Sequence, residues 1–277
     1  MTAPGALAEA LVQRLAAIGP LAIAYSGGAD SALVLAAAAR ALGTRRVLAV
    51  TAVSGSLATG ELHAARTLAE GLGTRHLAVP TRELDRPGYR ANGRDRCYFC
   101  KSEVLDTLVR TARLHGYPRI ATGTNTDDAA DPHRPGISAG RERGVHTPLL
   151  DVGLTKADVR AVSRLWSLPT WDKPATPCLA SRIRYGLEVT GYRLARVDRA
   201  EAAVRALLTA AGIPVTDLRV RDLGGAARVE VPADDLPFVR AVSGLAEAIG
   251  AAGFAGMPVE YAAFSPGNLN KENIDHK

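Results

Sequence analysis

Six residues, Ser26-Gly27-Gly28-Ala29-Asp30-Ser31, constrain this chain more than any others. They stand between a short apolar run, Leu21 to Tyr25, and an Ala/Leu-rich stretch from 32 to 42 that closes at Gly43. A buried strand, a glycine loop and a helix in that order aim backbone N–H groups and the positive end of a helix dipole at an anion. Two glycines let the backbone approach a phosphate, Ser26 and Ser31 add hydroxyls, and Asp30 offers a carboxylate to a divalent cation. The GK[ST] ending of a Walker P-loop is missing. A tight turn with Asp30 or Ser31 as helix N-cap is the purely structural alternative.

Around this loop, strand-like and helix-like segments alternate. Helical spacing over 5–18 stops at Gly19-Pro20, buried-type strands are expected at 47–53, 76–79 and 119–122, and helices at 61–72 and 98–115. The alternation predicts an α/β fold class: a parallel sheet covered on both faces, with ligands at the carboxyl ends of its strands. After Gly123-Thr124-Asn125-Thr126-Asp127-Asp128, a polar, Pro/Gly-rich stretch to Pro148 reads as a mobile loop over the site, and a helix follows at 156–168. After Cys178 the organisation resets, with a helix at 192–211, strands at 215–221 and 226–231, a helix at 235–250 and a strand at 257–263. This predicts a nucleotide-binding domain over 1–179 carrying the cysteines, a smaller α+β domain over 180–264 for substrate or oligomerisation, and a flexible tail over 265–277.

Of 277 residues, 47% are apolar and 22% charged, and no apolar run reaches membrane length. The N-terminus lacks the basic start and apolar stretch of a signal peptide, so a cytoplasmic location is expected and no membrane partner. The charge is +6, carried by 29 Arg and only 5 Lys. Arginine suits fork-shaped recognition of phosphate and carboxylate, so an anionic small molecule is expected. No basic cluster alternates with aromatics, which argues against a nucleic-acid partner.

Three cysteines are present, two of them as Cys97-x-x-Cys100 and the third as Cys178 after Pro177. In a reducing compartment this pattern reads as metal or redox chemistry. Three thiolates on a four-iron cluster leave one iron open. With His133 or His146 the same thiols make a Cys₃His zinc site, and Cys178 alone also reads as a small buried apolar residue.

The hexapeptide resembles the pyrophosphate-binding loop of the PP-loop ATP pyrophosphatase superfamily, whose fold is an adenine nucleotide alpha-hydrolase-like, Rossmann-like domain. Further segments resemble the LarE family, ATP-dependent sulfurtransferases that act on pyridinium-3,5-biscarboxylic acid mononucleotide for the nickel-pincer cofactor. They are Arg96-Cys97-Tyr98-Phe99-Cys100-Lys101, Gly123-Thr124-Asn125-Thr126-Asp127-Asp128, Asp131 to Gly136, Leu154-Thr155-Lys156, Pro169 to Pro174, Cys178 to Ile183 and Ala227 to Val231. Together they span about residues 20 to 232, and the Cys178 and Trp171 segments select the family.

The resemblance implies ATP and Mg²⁺, with Ser26, Gly27, Gly28, Asp30, Ser31, Gly123 and Asp128 binding ATP and pyrophosphate. It implies Ser181, Arg219 and Arg221 as ligands of the substrate phosphate, Arg182 and Arg184 being neighbouring candidates, and Glu201 and Glu230 beside Asp30 as divalent-metal carboxylates. All three cysteines are present, which favours the family form that holds a [4Fe–4S] cluster on Cys97, Cys100 and Cys178. The other form sacrifices the sulfur of the cysteine matching Cys178. Trp171 either stacks on a ring or plugs its loop. A homo-oligomer is expected. The competing readings are a tRNA thiolation enzyme of the same superfamily, a non-catalytic zinc-stabilised nucleotide-binding protein and an amide-forming PP-loop enzyme.

Overall fold

Pro4 opens helix α1 (Pro4–Ile18), where its missing N–H costs nothing, and Ala8, Leu11, Leu15 and Ile18 form the buried face at three- and four-residue spacing. Gly19, at φ 79°, ends the helix and its N–H donates to Leu15 O. Then come β1 (Leu21–Ala24), α2 (Ala29–Leu42), β2 (Val47–Val53), α3 (Glu61–Gly71) and β3 (Arg75–Pro80). After the short α4 (Pro87–Arg90) come the long α5 (Arg96–Leu114) and β4 (Arg119–Ala121). Three short helices, α6 (Thr126–Ala130), α7 (Gly136–Glu142) and α8 (Pro148–Asp151), lead to α9 (Lys156–Leu165). The computed structural model describes residues 2–131 and 136–265.

The four strands are all parallel, in the order β3-β2-β1-β4. The first three step outward in one direction and β4 then returns to the other flank of β1, so strand order reverses between β1 and β4. That reversal leaves a crevice at the carboxyl ends of the two strands. The 26–31 loop leaves β1 there, and the Gly123 loop leaves β4.

Alternation along the strands sorts the core into two layers. Leu21, Ile23, Val47 and Ala49 pack with α1, α2, α9 and the α3 alanines Ala65 and Ala69. Ala22, Leu48 and Val50 face the other way, onto Leu105, Leu108 and Ala112 of α5. Helix α2 is buried without interruption from Ser31 to Ala38, and its small alanines let both α1 and the sheet approach it. The α/β class and the parallel sheet are as the sequence predicts.

The chain divides into two compact units, Met1–Arg86 with Asp95–Thr176, and Pro87–Arg94 with Pro177–Lys277. The second contains α10 (Gly191–Ala210), β5 (Arg219–Asp222), β6 (Ala227–Val231), α11 (Leu236–Ala241), α12 (Leu245–Ile249) and β7 (Val259–Ala263). Strand β6 is central, antiparallel to β5 and parallel to β7. Leu194, Val197, Ala200, Val204 and Leu208 are the buried apolar positions of α10. Asp222, fully buried, accepts from Arg193 (2.7 Å) and Arg196 (2.9 Å). Burial alone raises its pKa, but those two guanidiniums and the Gly224 N–H hold the carboxyl below its ordinary range.

Residues 87–94 group with the second unit, where the buried Asn92 side chain donates to Arg184 O and Leu187 O, both at 2.8 Å, and Gly186 and Val189 N–H donate to Asn92 O and Arg90 O. Several details depart from the sequence reading. The described parts of the stretch from 129 to 148 carry the end of α6 and all of α7 instead of open loop. Helix α6 is closed by a capping box between Asn125 and Asp128, and α7 buries Ala139. The helix expected over 235–250 is split at Gly244, whose φ of 82° places it as the left-handed N-cap of α12. The strand expected from 215 begins only at Arg219, and the helix expected to reach 168 ends at Leu165. The tail from 266 onward lies outside the described residues.

Candidate functional site

The 26–31 loop is organised by its own hydroxyls. Ser31 Oγ donates to Gly28 O (3.1 Å) and lies 3.1 Å from Ser26 Oγ, so the Ser26 hydroxyl donates to Ser31. The Gly28 N–H donates to Ser26 Oγ at 3.4 Å. Gly28 is the N-cap of α2, with no side-chain cap, while Asp30 and Ser31 lie inside the helix. This overturns the reading of either as the N-cap. Ala32 N–H makes the first intrahelical bond, to Gly28 O, so the N–H groups of Ala29, Asp30 and Ser31 precede the ladder and point out of the helix start.

Both loop glycines next to packed backbone are forced by space. A Cβ on Gly27, whose φ is 76°, meets Ala65 Cβ at 2.9 Å. A Cβ on Gly123 meets Ser31 N at 2.7 Å and Asp30 C at 2.8 Å, so the loop after β4 lies directly against the start of α2.

Asn125 Nδ2 donates to Asp30 Oδ1 (2.9 Å), joining the two loops. Burial pushes the Asp30 carboxyl above its ordinary pKa, with repulsion from Asp128 adding to the rise, while the Asn125 bond and Lys156 oppose it. A divalent cation at Asp30 relieves that penalty, and this is the fit of Mg²⁺ to the residues present. Asp128 is buried and accepts the Asn125 N–H at 3.5 Å as the capping-box partner in α6. Its carboxylate closes the second loop as well as facing Asp30. Lys173 Nζ donates to Gly27 O (3.2 Å) and to Glu61 Oε2 (2.9 Å). Arg164 stacks 5.0 Å over the Trp171 ring, so one ring face is already covered and the side chain remains 37% exposed.

In the second unit Cys178 is exposed and caps a 3₁₀ turn, Leu179–Arg182, through its backbone. The buried Arg182 guanidinium holds that turn: Nη1 donates to Pro177 O (2.6 Å) and to Ser181 Oγ (3.1 Å), and Nε donates to Glu201 Oε1 (2.8 Å). Glu201 also accepts the Val220 N–H at 3.1 Å, tying the turn to β5. Arg221 Nη1 donates to Ser181 O (3.0 Å), and its Nε lies 2.6 Å from Glu230 Oε1 at angles outside hydrogen-bond geometry. Arg219 stacks 4.0 Å over Phe264. Burial lowers the Arg219 pKa first, and the neighbouring Arg182 and Arg221 charges lower it further. The Asp217 and Glu230 charges oppose that lowering. Glu201 and Glu230, as placed, are counter-ions of Arg182 and Arg221.

Cys97 and Cys100 lie at the start of α5, three residues apart and therefore on one helix face; the first is exposed and the second half-buried. All three thiols are free, and a set of sulfur donors suits iron–sulfur or zinc chemistry. Among the described residues, no group of three or more His, Cys, Asp or Glu converges as a metal site. His146 is fixed in the sheet beside β4, where its N–H donates to Ile120 O (2.9 Å). Burial first, and the Arg14 and Arg119 charges with it, lower its pKa. His133 lies outside the described residues.

Residues 3–86 match the asparagine synthase family model, a segment that contains the 26–31 loop. The chain is 31% identical over 264 residues to the pyridinium-3,5-bisthiocarboxylic acid mononucleotide synthase of Lactiplantibacillus plantarum, covering 94% of this chain and 92% of that protein. The chain belongs to the LarE family. An uncharacterized protein of Synechocystis is 43% identical over 252 residues, covering 90% of this chain and 91% of its own. LarE membership and the PP-loop make the chain an ATP-dependent enzyme. No helix among the described residues is long and apolar enough to cross a membrane.

Against the family pattern, the structure brings Ser26, Gly27, Gly28, Asp30, Ser31, Gly123 and Asp128 together at one sheet end. It gathers Ser181, Arg219, Arg221, Glu201 and Glu230 around the turn after Cys178. Asn125 and Lys173 have no role assigned by the sequence, and Arg182, a candidate for the substrate phosphate there, instead holds the Cys178 turn. The partners of Asn125 and Lys173 lie far off in sequence, so local spacing carries no signal of them. Removing the Glu201 carboxylate with Glu201→Ala leaves Arg182 buried and unpaired, which is expected to cost about 3–5 kcal/mol. Denaturant unfolding of the variant should show that loss as a lowered midpoint with an unchanged slope.

Proposed function

We propose that this protein is a sulfurtransferase that activates a carboxylate of pyridinium-3,5-biscarboxylic acid mononucleotide with ATP and replaces oxygen by sulfur. The product is a thiocarboxylate for the nickel-pincer nucleotide cofactor. The observation that carries the reading is the pairing of two anion sites in one chain. One is the PP-loop at the strand-order reversal, with Asp30 poised for Mg²⁺. The other is the arginine cluster built around the turn that follows Cys178. The relative of known name makes the bisthiocarboxylic acid mononucleotide.

In this mechanism the N–H groups of Ala29, Asp30 and Ser31 and the hydroxyls of Ser26 and Ser31 take the ATP phosphates, and Asp30 holds Mg²⁺. Arg219, Arg221 and Ser181 take the phosphate of the mononucleotide, with Glu201 and Glu230 keeping the guanidiniums in place. A carboxylate oxygen attacks the α-phosphorus, pyrophosphate leaves, and the acyl-adenylate turns an unreactive carboxylate into one with AMP as leaving group. Sulfur then forms the bond to the acyl carbon and AMP departs. Cys97, Cys100 and Cys178 would hold a [4Fe–4S] cluster, whose chemistry would be to take up inorganic sulfide and offer it as the nucleophile. Arg182 fixes the Cys178 backbone from Pro177 O and Cys178 O, so the thiol is presented from a rigid turn.

The test combines metal content with turnover. Anaerobically prepared protein should contain iron and acid-labile sulfide at about four per chain. It should release pyrophosphate from ATP only when the dicarboxylated mononucleotide is added, and, with inorganic sulfide supplied, form thiocarboxylate repeatedly. Product limited to one equivalent, with residue 178 converted to dehydroalanine, assigns the sulfur to Cys178 itself. Pyrophosphate release indifferent to the mononucleotide overturns the substrate assignment.

A further inference from the structure

The chain uses arginine 29 times and lysine five times, and three of those lysines, Lys101, Lys156 and Lys173, fall among the described residues. Each interacts with a residue of the nucleotide loops, Lys101 after a stronger interaction with Cys100. Lys156 lies in the field of Asp30, Lys101 in that of Asp128, and Lys173 donates directly to Gly27 O. A chain so biased toward arginine keeps an ammonium where a compact charge on a flexible stem serves better than a planar fork.

Lys173 is the one of the three in contact with the loop itself. Gly27 packs down on Ala65, one turn along α3 from Glu61, and Glu61 supplies the second acceptor of the ammonium at 2.9 Å. Glu61 and Lys173 are about a fifth exposed, so the pair stands at the rim of the loop, open to a ligand. Gly27 and Glu61 take two of the three donors of a lysine ammonium. Magnesium neutralises only part of a triphosphate, and Asp30 and Asp128 add negative charge beside the same loop. Chemistry that drives an electron pair onto pyrophosphate is helped by a further cation there.

We propose that Lys173 is a catalytic residue of the adenylation step, an ammonium that moves from Gly27 O and Glu61 onto the β- and γ-phosphates of ATP and, remaining protonated, offsets the charge that builds on departing pyrophosphate. The inference rests on the reading of the 26–31 loop as a triphosphate site. In the step itself, a carboxylate oxygen forms the bond to the α-phosphorus. The bond from that phosphorus to the bridging oxygen breaks, and its electron pair stays on pyrophosphate, where Lys173 meets it. Glu61 then acts as the resting acceptor that keeps the ammonium at the rim when no phosphate claims it.

Calorimetric titration of the whole protein with Mg·ATP and with AMP, together with pyrophosphate release, tests this on Lys173→Met, Lys173→Gln and Glu61→Gln. Either lysine variant should bind Mg·ATP about tenfold or more weakly and release pyrophosphate about a hundredfold more slowly, while AMP, which lacks the β- and γ-phosphates, binds within about twofold of wild type. Glu61→Gln frees the ammonium and should tighten Mg·ATP a few-fold. Unchanged Mg·ATP binding and pyrophosphate release in both lysine variants overturns the proposal. So does a parallel loss of AMP, or a loss in Glu61→Gln matching that in Lys173→Met, since a simple strut gives both. Wild-type protein that binds no Mg·ATP overturns the triphosphate reading of the loop itself, a result distinct from failure of the lysine variants alone.

Discussion

Cys178→Ala is expected to reduce thiocarboxylate formation by about 10³-fold or more while pyrophosphate release from ATP continues. The separation follows from where each part of the chemistry sits. Cys178 belongs to the second unit and the PP-loop to the first. The contacts of Cys178 to its own turn run through its carbonyl, which accepts from Ser181 N–H at 2.9 Å and from Arg182 at 3.4 Å, and alanine keeps both. An exposed thiol leaves no cavity on removal, so stability should change by no more than about 0.5 kcal/mol. Mass spectrometry of the nucleotide products, run beside a pyrophosphate assay, checks both halves at once. Thiocarboxylate made by the variant at the wild-type rate would remove Cys178 from the reaction.

Gly123→Ala is the second large effect, and it acts through packing. The added methyl meets Ser31 N at 2.7 Å and Asp30 C at 2.8 Å, and both are backbone atoms that no rotamer change can move aside. Either the start of α2 shifts or the loop after β4 lifts, and each displaces the Asp30 carboxylate from the Asn125 side chain that donates to it. Overpacking of this kind costs about 1–3 kcal/mol of stability. Misplacement by about 1 Å costs about a hundredfold in catalysis, so kcat/KM for ATP should fall by that order. Calorimetry with Mg·ATP should show the same weakening without the mononucleotide present. Wild-type ATP affinity in a folded Gly123→Ala variant would mean that the two loops do not act together.

Much of the first unit is legible along the chain because its signals are local. The continuous apolar runs at 21–25 and 47–53 form central strands of a parallel sheet buried on both faces, and the glycine loop follows a strand and starts a helix in the order an anion requires. The short helices between 126 and 151 escape such reading. Runs of five, seven and four residues complete too few turns to show a helical period, and each depends on a cap or on a neighbouring element. The grouping of 87–94 with the second unit is equally silent in sequence, since Asn92 and Arg90 bond to residues more than ninety positions away.

The site divides along the same line. Residue type and spacing by themselves determined the PP-loop, the α/β class, the three thiols and the basic residues after Cys178, because each is a cluster within a few positions of chain. Only the tertiary structure decided what those residues do to one another. It sets Asn125 on Asp30 across 95 positions, Lys173 on Gly27 across 146, and Glu201 on Arg182 across a helix, making Glu201 and Glu230 counter-ions of buried guanidiniums. The physical reason is that a buried charge must find its partner in space, and strand order, together with the register of each pair, determines which distant residue supplies it.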